Sequence, residues 1–550
     1  MSKQAPDLIA QALKAHQAGD IATARRLLKK QTSAPGLHLL GLVERKAGNL
    51  DKAAYLLAKA AKLEPNHEVR HNQGLVAKAQ GKPQDAERFF NAAIKQRPDF
   101  AQAWQSLAVL YREQKRWQQA QEAYERAKQL APDNHTIDLG IALLNLGQGE
   151  AKRAISFARA ALANRDLKNE ERSQARFIRG RALLELGERE DALDDIQQAY
   201  SILPSPTILR TLANLLWLED RQDQLRMTLE EAVFNPAIAA SAITIANQQG
   251  GAPLYPPQHL LQQADVAAAL AWQYIEQQDS EAALSALSAA TNGEAEPLFV
   301  AAEIVAYTMQ GDYAEGSKRV NQQLRVDPNG QHWLGYLATI ERLRGNPGLL
   351  NDPDVIQIHA LKPQGYASVD EFNAQLAQAL SDLHEAQVHP LDQTLRNGSQ
   401  TETNLIHRTE AVIQDYFRAL EQPITDYLGY FTDKREHPIA RRYQGAFEIT
   451  DAWSVRLDDA GFHIDHVHPQ GWISSAYYVT AEGCEDPISK AGWLRFGIPP
   501  YRTPTSLEPL KWVQPEAGKL ALFPSYMWHG TVPSASGSVR LTAPFDVSPK

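Results

Sequence analysis

Three imidazoles and one carboxylate fall within six residues of the stretch Gly461-Phe462-His463-Ile464-Asp465-His466-Val467-His468-Pro469. In extended backbone, residues two apart share a face, so His463 with Asp465 and His466 with His468 are rival pairs able to chelate one metal ion. Either pair needs a third ligand from elsewhere in the chain. The candidate is His529, at the end of Gly518-Lys519-Leu520-Ala521-Leu522-Phe523-Pro524-Ser525-Tyr526-Met527-Trp528. That run reads as a strand whose terminal turn presents the imidazole. Eleven residues later, Arg540 shares a strand face with Thr542, while Leu541 and Ala543 take the other. A fork-shaped guanidinium beside a hydroxyl suits a carboxylate. An isolated arginine would read as a salt bridge and a lone histidine as a core residue. The clustering argues against both.

These residues need strands to hold them. Helical periodicity stops near Asn346-Pro347-Gly348, which sets a domain boundary at 345/346, and Val355-Ile356-Gln357-Ile358 begins a β-type alternation. Helices are expected near 369–385 and 402–428. Beyond residue 440 short strands are expected at Trp453–Leu457, Ile473–Val479, Trp493–Phe496, Lys519–Phe523 and Val539–Ala543. Several short strands in succession imply a sandwich or barrel. Trp453, Trp472, Trp493 and Trp528 read as core or pocket wall. Gly398-Ser399-Gln400-Thr401 reads as a turn leading into a helix N-cap, with the rival reading a pocket mouth lined by Arg396, Gln400 and Thr401.

The first 345 residues repeat. Ala53, Ala86, Ala120 and Ala154 follow one another at 33, 34 and 34 residues, and Pro65, Pro98 and Pro132 keep the same step. Each unit reads as two helices, with a small residue where they approach, Gly48, Gly81 or Gly147 ending the first helix, and a Pro-Asn or Pro-Asp stop. From about 35 to 167 the pattern resembles the tetratricopeptide repeat, with degenerate copies on both sides. Ala192 follows Ala154 by 38 residues, an interruption falls near 236–262, and Ala282 and Ala314 resume the spacing. Trp104, Tyr111 and Trp117 read as packing between helices. Such arrays commonly accept an extended peptide, so a protein or peptide partner is expected, against the plainer reading of a structural arm.

The composition, 43% hydrophobic and 22% charged, is that of a globular protein of more than one domain. No apolar run is long enough to span a bilayer, so no membrane partner is expected. A net charge of −9 without a basic block argues against nucleic acid. The first residues lack the apolar core of a secretory signal, and Cys484 is the sole cysteine, so a cytoplasmic location is expected and an internal disulfide is excluded.

Residues 355–550 resemble the double-stranded β-helix (jelly-roll) of the iron and 2-oxoglutarate oxygenases. The layout is similar to the prolyl-4-hydroxylase type: Gly461 before the first ligand, the strand at Tyr477-Tyr478-Val479, the strand at 518–523, then His529 and Arg540. It is closer still to a group of 2-oxoglutarate oxygenases often fused to tetratricopeptide repeats, which shares a stretch like His389-Pro390-Leu391-Asp392-Gln393-Thr394-Leu395-Arg396-Asn397-Gly398-Ser399-Gln400-Thr401. The resemblance implies Fe(II) held by His466, His468 and His529. His468 stands where the usual HxD motif has its carboxylate, and Asp465 or His463 remains an alternative ligand. It further implies 2-oxoglutarate held by Arg540, with Thr542 and Tyr478 beside it and Asp465, Arg396, Gln400 and Trp472 as possible pocket residues. The expected reaction is hydroxylation of a protein or peptide side chain, coupled to decarboxylation of 2-oxoglutarate to succinate. Two rivals stand beside it: a non-enzymatic repeat scaffold with a degenerate oxygenase fold, and a cupin-like metal enzyme that does not use 2-oxoglutarate.

Overall fold

The computed structural model describes residues 4–293, 296–384, 394–401, 404–535 and 537–550, so His389 to Gln393 of the quoted stretch lie outside the described residues. The chain divides into two compact units, Met1–Ile208 and Leu209–Lys550. Among the described residues no helix is long and apolar enough to cross a membrane.

The first unit is an all-α solenoid of helical hairpins. Helix pairs such as Ala34–Lys46 with Leu50–Leu63, and His67–Ala79 with Pro83–Gln96, repeat through Asn169–Glu185 with Arg189–Ile202. Ala53, Ala86, Ala120, Ala154 and Ala192 are all fully buried, each at the fourth position of its helix. The facing helix is small too: a Cβ added at Gly74 would stand 2.4 Å from the Phe90 ring, and one at Gly140 would stand 2.5 Å from Tyr124. The Pro-Asn stop doubles as the next start, since the Asn66 side chain accepts from the Val69 N–H. Gly48 and Gly81 adopt the left-handed conformation expected of them, but Gly147 does not. It ends its helix in ordinary geometry, and Gly149 (φ +75°) makes the turn. The stretch before Ala192 is absorbed by a helix of 17 residues where its counterparts have 13.

In the second unit, helices from Gln222–Ala232 to Gln331–Leu343 continue the hairpins. Ala239–Gln249 is a helix inside the expected interruption, ended by left-handed Gly250. Spacing misplaces the small residues here. Ala282 is half-buried and Ala314 exposed, while Ala283 and Gly316, at the fourth helical positions, are buried. The helix starts set the register, and the spacing of alanines follows it only when the turns keep one length.

The β domain is an antiparallel jelly-roll. Its strands are β1 (Gln357–Ala360), β2 (Leu395–Gln400), β3 (Phe447–Ala452), β4 (Val455–His463), β5 (Ile473–Tyr477), β6 (Leu494–Phe496), β7 (Lys511–Val513), β8 (Lys519–Pro524), β9 (His529–Thr531), β10 (Arg540–Thr542) and β11 (Phe545–Pro549). One sheet has the order β1-β8-β5-β11-β3, and two smaller ones have the orders β10-β4-β2 and β7-β6-β9. The larger sheet is covered by helices Val369–Ser381 and Ala411–Gly429, which bury Phe372, Leu376, Tyr416 and Tyr427 against it. β8 is buried on both faces, helices on one side and the site on the other, which is why Leu520 to Phe523 shows no polar alternation.

Residues 395–400 form a strand where a turn leading to an N-cap and a pocket mouth were the two rival readings. Gly398 permits it, since a Cβ there would stand 2.2 Å from the Arg456 carbonyl of β4. A bulge sits alongside, with Asn397 and Ala460 at positive φ and Gly461 pressed against the Asn397 carbonyl. The last repeat helix packs directly on the β domain. Trp528 Nε1 donates to the Gly335 carbonyl and the Thr339 hydroxyl, both at 3.1 Å, and Arg342 donates to the Gly497 and Glu508 carbonyls.

Candidate metal centre

β4 delivers the chain to His463 and then leaves the sheet, so the next residues follow no strand alternation. One isolated pairing restores order: His466 and His529 exchange both backbone hydrogen bonds, at 2.9 and 3.0 Å, which sets the two imidazoles opposite each other. The His468 N–H is held by the Ser525 carbonyl at 3.0 Å. The ligand atoms of His466, His468 and His529 consequently lie within 4.8 Å of one another.

The outer nitrogens of the three rings decide what the inner ones can do. His466 Nδ1 faces the Ile464 carbonyl at 2.7 Å, His529 Nδ1 the Met527 carbonyl at 3.0 Å, and His468 Nδ1 the Asp546 carboxylate at 2.8 Å. Carbonyl oxygens only accept, so Nδ1 of His466 and of His529 donates, and a neutral ring then carries a lone pair on Nε2; the Asp546 carboxylate orients the His468 ring in the same way. Burial, reinforced by the neighbouring histidine at 468, pulls His466 down to about 3, and burial holds His529 well below the usual range. His466 Nε2 and His468 Nε2 nevertheless approach to 3.2 Å. Two lone pairs at that distance require a cation between them. A proton would serve that pair alone, whereas a metal ion also uses the third imidazole, so the donor set fits a divalent metal.

Arg540 stands in the same cavity, only 2% exposed. One terminal nitrogen donates to the Gly492 carbonyl, Nε has no partner, and no ion pair to it is formed among the described residues. The buried Tyr478 hydroxyl is also without a partner among the described residues, and Thr542 lines the same wall. A desolvated guanidinium beside an unsatisfied hydroxyl is costly without an anion. A carboxylate ligand fits that demand.

The remaining sequence candidates separate. Asp465 is buried but turned to Arg495, with contacts of 2.5 and 3.1 Å, away from the three imidazoles. His463 lines the cavity, its Nδ1 3.2 Å from the Thr394 hydroxyl. Arg396 lies in the field of Glu276 of the repeat helix Ala264–Glu276. Gln400 pairs with Val455 within the β2–β4 ladder. Trp472 is fully buried in the core, donating to the Ile439 carbonyl, and is not part of the cavity wall. Sequence reasoning missed Asp546 and Arg495. An acid between Phe545 and Val547 on an apolar strand was a faint signal for the first, and nothing marked the second.

Residues 451–546 match the family model described as "Putative 2OG-Fe(II) oxygenase", and residues 71–135 and 138–205 match that of the tetratricopeptide repeat. No curated protein is matched. Among solved structures, a tetratricopeptide repeat protein from Parabacteroides merdae is similar at 15% identity, over 42% of this chain and 92% of its own, with a TM-score of 0.35. Pseudomonas aeruginosa pilF is similar at 18% identity, over 36% and 92%, with a TM-score of 0.33. The type IV pilus biogenesis factor PilW is similar at 14%, over 38% and 99%, with a TM-score of 0.35.

Proposed function

We propose that this chain, which carries tetratricopeptide repeats and a "putative 2OG-Fe(II) oxygenase" domain, is an Fe(II)- and 2-oxoglutarate-dependent dioxygenase that hydroxylates a protein or peptide side chain recruited by its repeats. The observation that carries this reading is one cavity holding three convergent imidazoles and a buried arginine that forms no ion pair among the described residues. His466, His468 and His529 would hold the metal. Arg540 and Thr542 would hold the distal carboxylate of 2-oxoglutarate, with the Tyr478 hydroxyl available to the same ligand. Bound together, Fe(II) and 2-oxoglutarate supply the oxidising chemistry, in which decarboxylation to succinate is coupled to oxygen transfer into a C–H bond. The protein's own share is to orient and to exclude water: Trp453, Leu494 and Phe523 wall the cavity with apolar surface. The reaction needs no side-chain general base.

In this reading residues 346–550 form the catalytic domain and residues 1–345 the repeat array, which captures an extended peptide and raises its local concentration at the iron. The test is to load the protein with Fe(II) and 2-oxoglutarate without oxygen, admit air, and measure succinate. Turnover is expected, and Arg540→Ala should abolish 2-oxoglutarate binding while leaving metal content intact. Failure of well-folded protein to bind iron or form succinate would point instead to a scaffold with a degenerate oxygenase fold. Metal-dependent activity indifferent to Arg540→Ala would point to a cupin-like enzyme.

A further inference from the structure

Three neutral imidazoles leave both charges of a divalent ion uncompensated, whereas a two-histidine, one-carboxylate set removes one. The carboxylate that His468 displaces has a counterpart one bond further out. Both Asp546 oxygens lie 2.8 Å from His468 Nδ1. The Ser474 hydroxyl donates to Oδ1 at 2.7 Å and meets the Ser525 hydroxyl at 2.8 Å. Gly471 leaves room for this network, since a Cβ there would stand 2.4 Å from Ser525 Oγ.

A second observation points the same way. On the β3–β11 ladder Asp546 stands directly opposite Asp451, and like charges directly opposite are destabilising. A cation bound by the His468 ring would offset that repulsion.

We propose that Asp546 is a positioning residue that returns to this centre, through His468, the negative charge that an ordinary set places on the metal itself. The inference rests on the triad reading above. It also fixes the His468 ring through Nδ1 so that Nε2 faces the cavity.

The test uses the full chain stripped of metal and titrated with Co(II), followed by calorimetry and visible absorption. Asp546→Asn keeps the shape and one oxygen acceptor for His468 Nδ1–H but removes the charge. Co(II) affinity should fall about 10- to 100-fold, the size expected for an outer-shell partner. Thermal stability of the metal-free variant should be unchanged or higher, because the repulsion with Asp451 is gone. Wild-type affinity in Asp546→Asn would overturn the inference and leave the triad intact. A wild type that binds no Co(II) would overturn the triad reading itself, and this inference with it. A parallel loss of stability in the metal-free variant would make the effect structural and also overturn it.

Discussion

Four imidazoles line one cavity, and what separates the three proposed ligands from their neighbour is the nitrogen already engaged. His466, His468 and His529 each commit Nδ1 to a fixed acceptor, while His463 meets only a hydroxyl that can donate or accept. His468→Ala should therefore lower bound metal at least about a hundredfold, and His463→Ala should leave it within about threefold. Metal analysis of both purified variants checks this, and the reverse pattern would transfer the site to His463. The residues themselves were legible in the sequence because their density is unusual at any fold. The choice between the rival pairs was not, since it assumed extended backbone, and the chain leaves its strand at His463. Asp465 reads as a ligand on paper and is lost to Arg495, 30 residues away.

Elements carry those side chains, and the most consequential is the helix Gln331–Leu343, which belongs to the repeats by pattern and to the site by contact. Gly335 lies against the turn between β8 and His529, where an added Cβ would stand 2.8 Å from the Tyr526 carbonyl, and Trp528 is pinned to the same helix. Gly335→Ala should cost about 1–3 kcal/mol of stability through overpacking. It should also weaken metal binding, because His529 is the next residue after that pinned tryptophan. Unchanged melting and unchanged metal affinity would show that this contact positions nothing. Strands β5, β6, β8 and β10 overlap the stretches expected to be strands. β2, β3, β7, β9 and β11 do not announce themselves, because they are made by their pairing partners rather than by their own composition. The glycine at 398 signalled a turn and serves a close strand approach instead.

For the whole molecule, buried neutral histidines tie stability to pH. His437 is fully buried, its Nδ1 accepting from the Ile439 N–H and its Nε2 facing the Tyr526 hydroxyl, and burial lowers it to about 4. Unfolded, it takes a proton near its ordinary value of about 6.5. Between those values the unfolded chain holds more protons, so stability is full above about 6.5 and falls as pH drops toward 4, by on the order of 3 kcal/mol for this residue. Melting of metal-free protein should decline across that window, and a flat profile would contradict it. The same division between local and distant causes runs through the molecule. The sequence by itself determined the helical hairpins, their period and the set of chemistry-bearing residues, because helix periodicity and turn residues act over a few positions. Tertiary structure alone decided that Gly335 seats the repeats on the β domain. It also decided that an aspartate 78 residues from His468 stands behind it. Those outcomes rest on pairing between segments far apart in the chain, which no local pattern encodes.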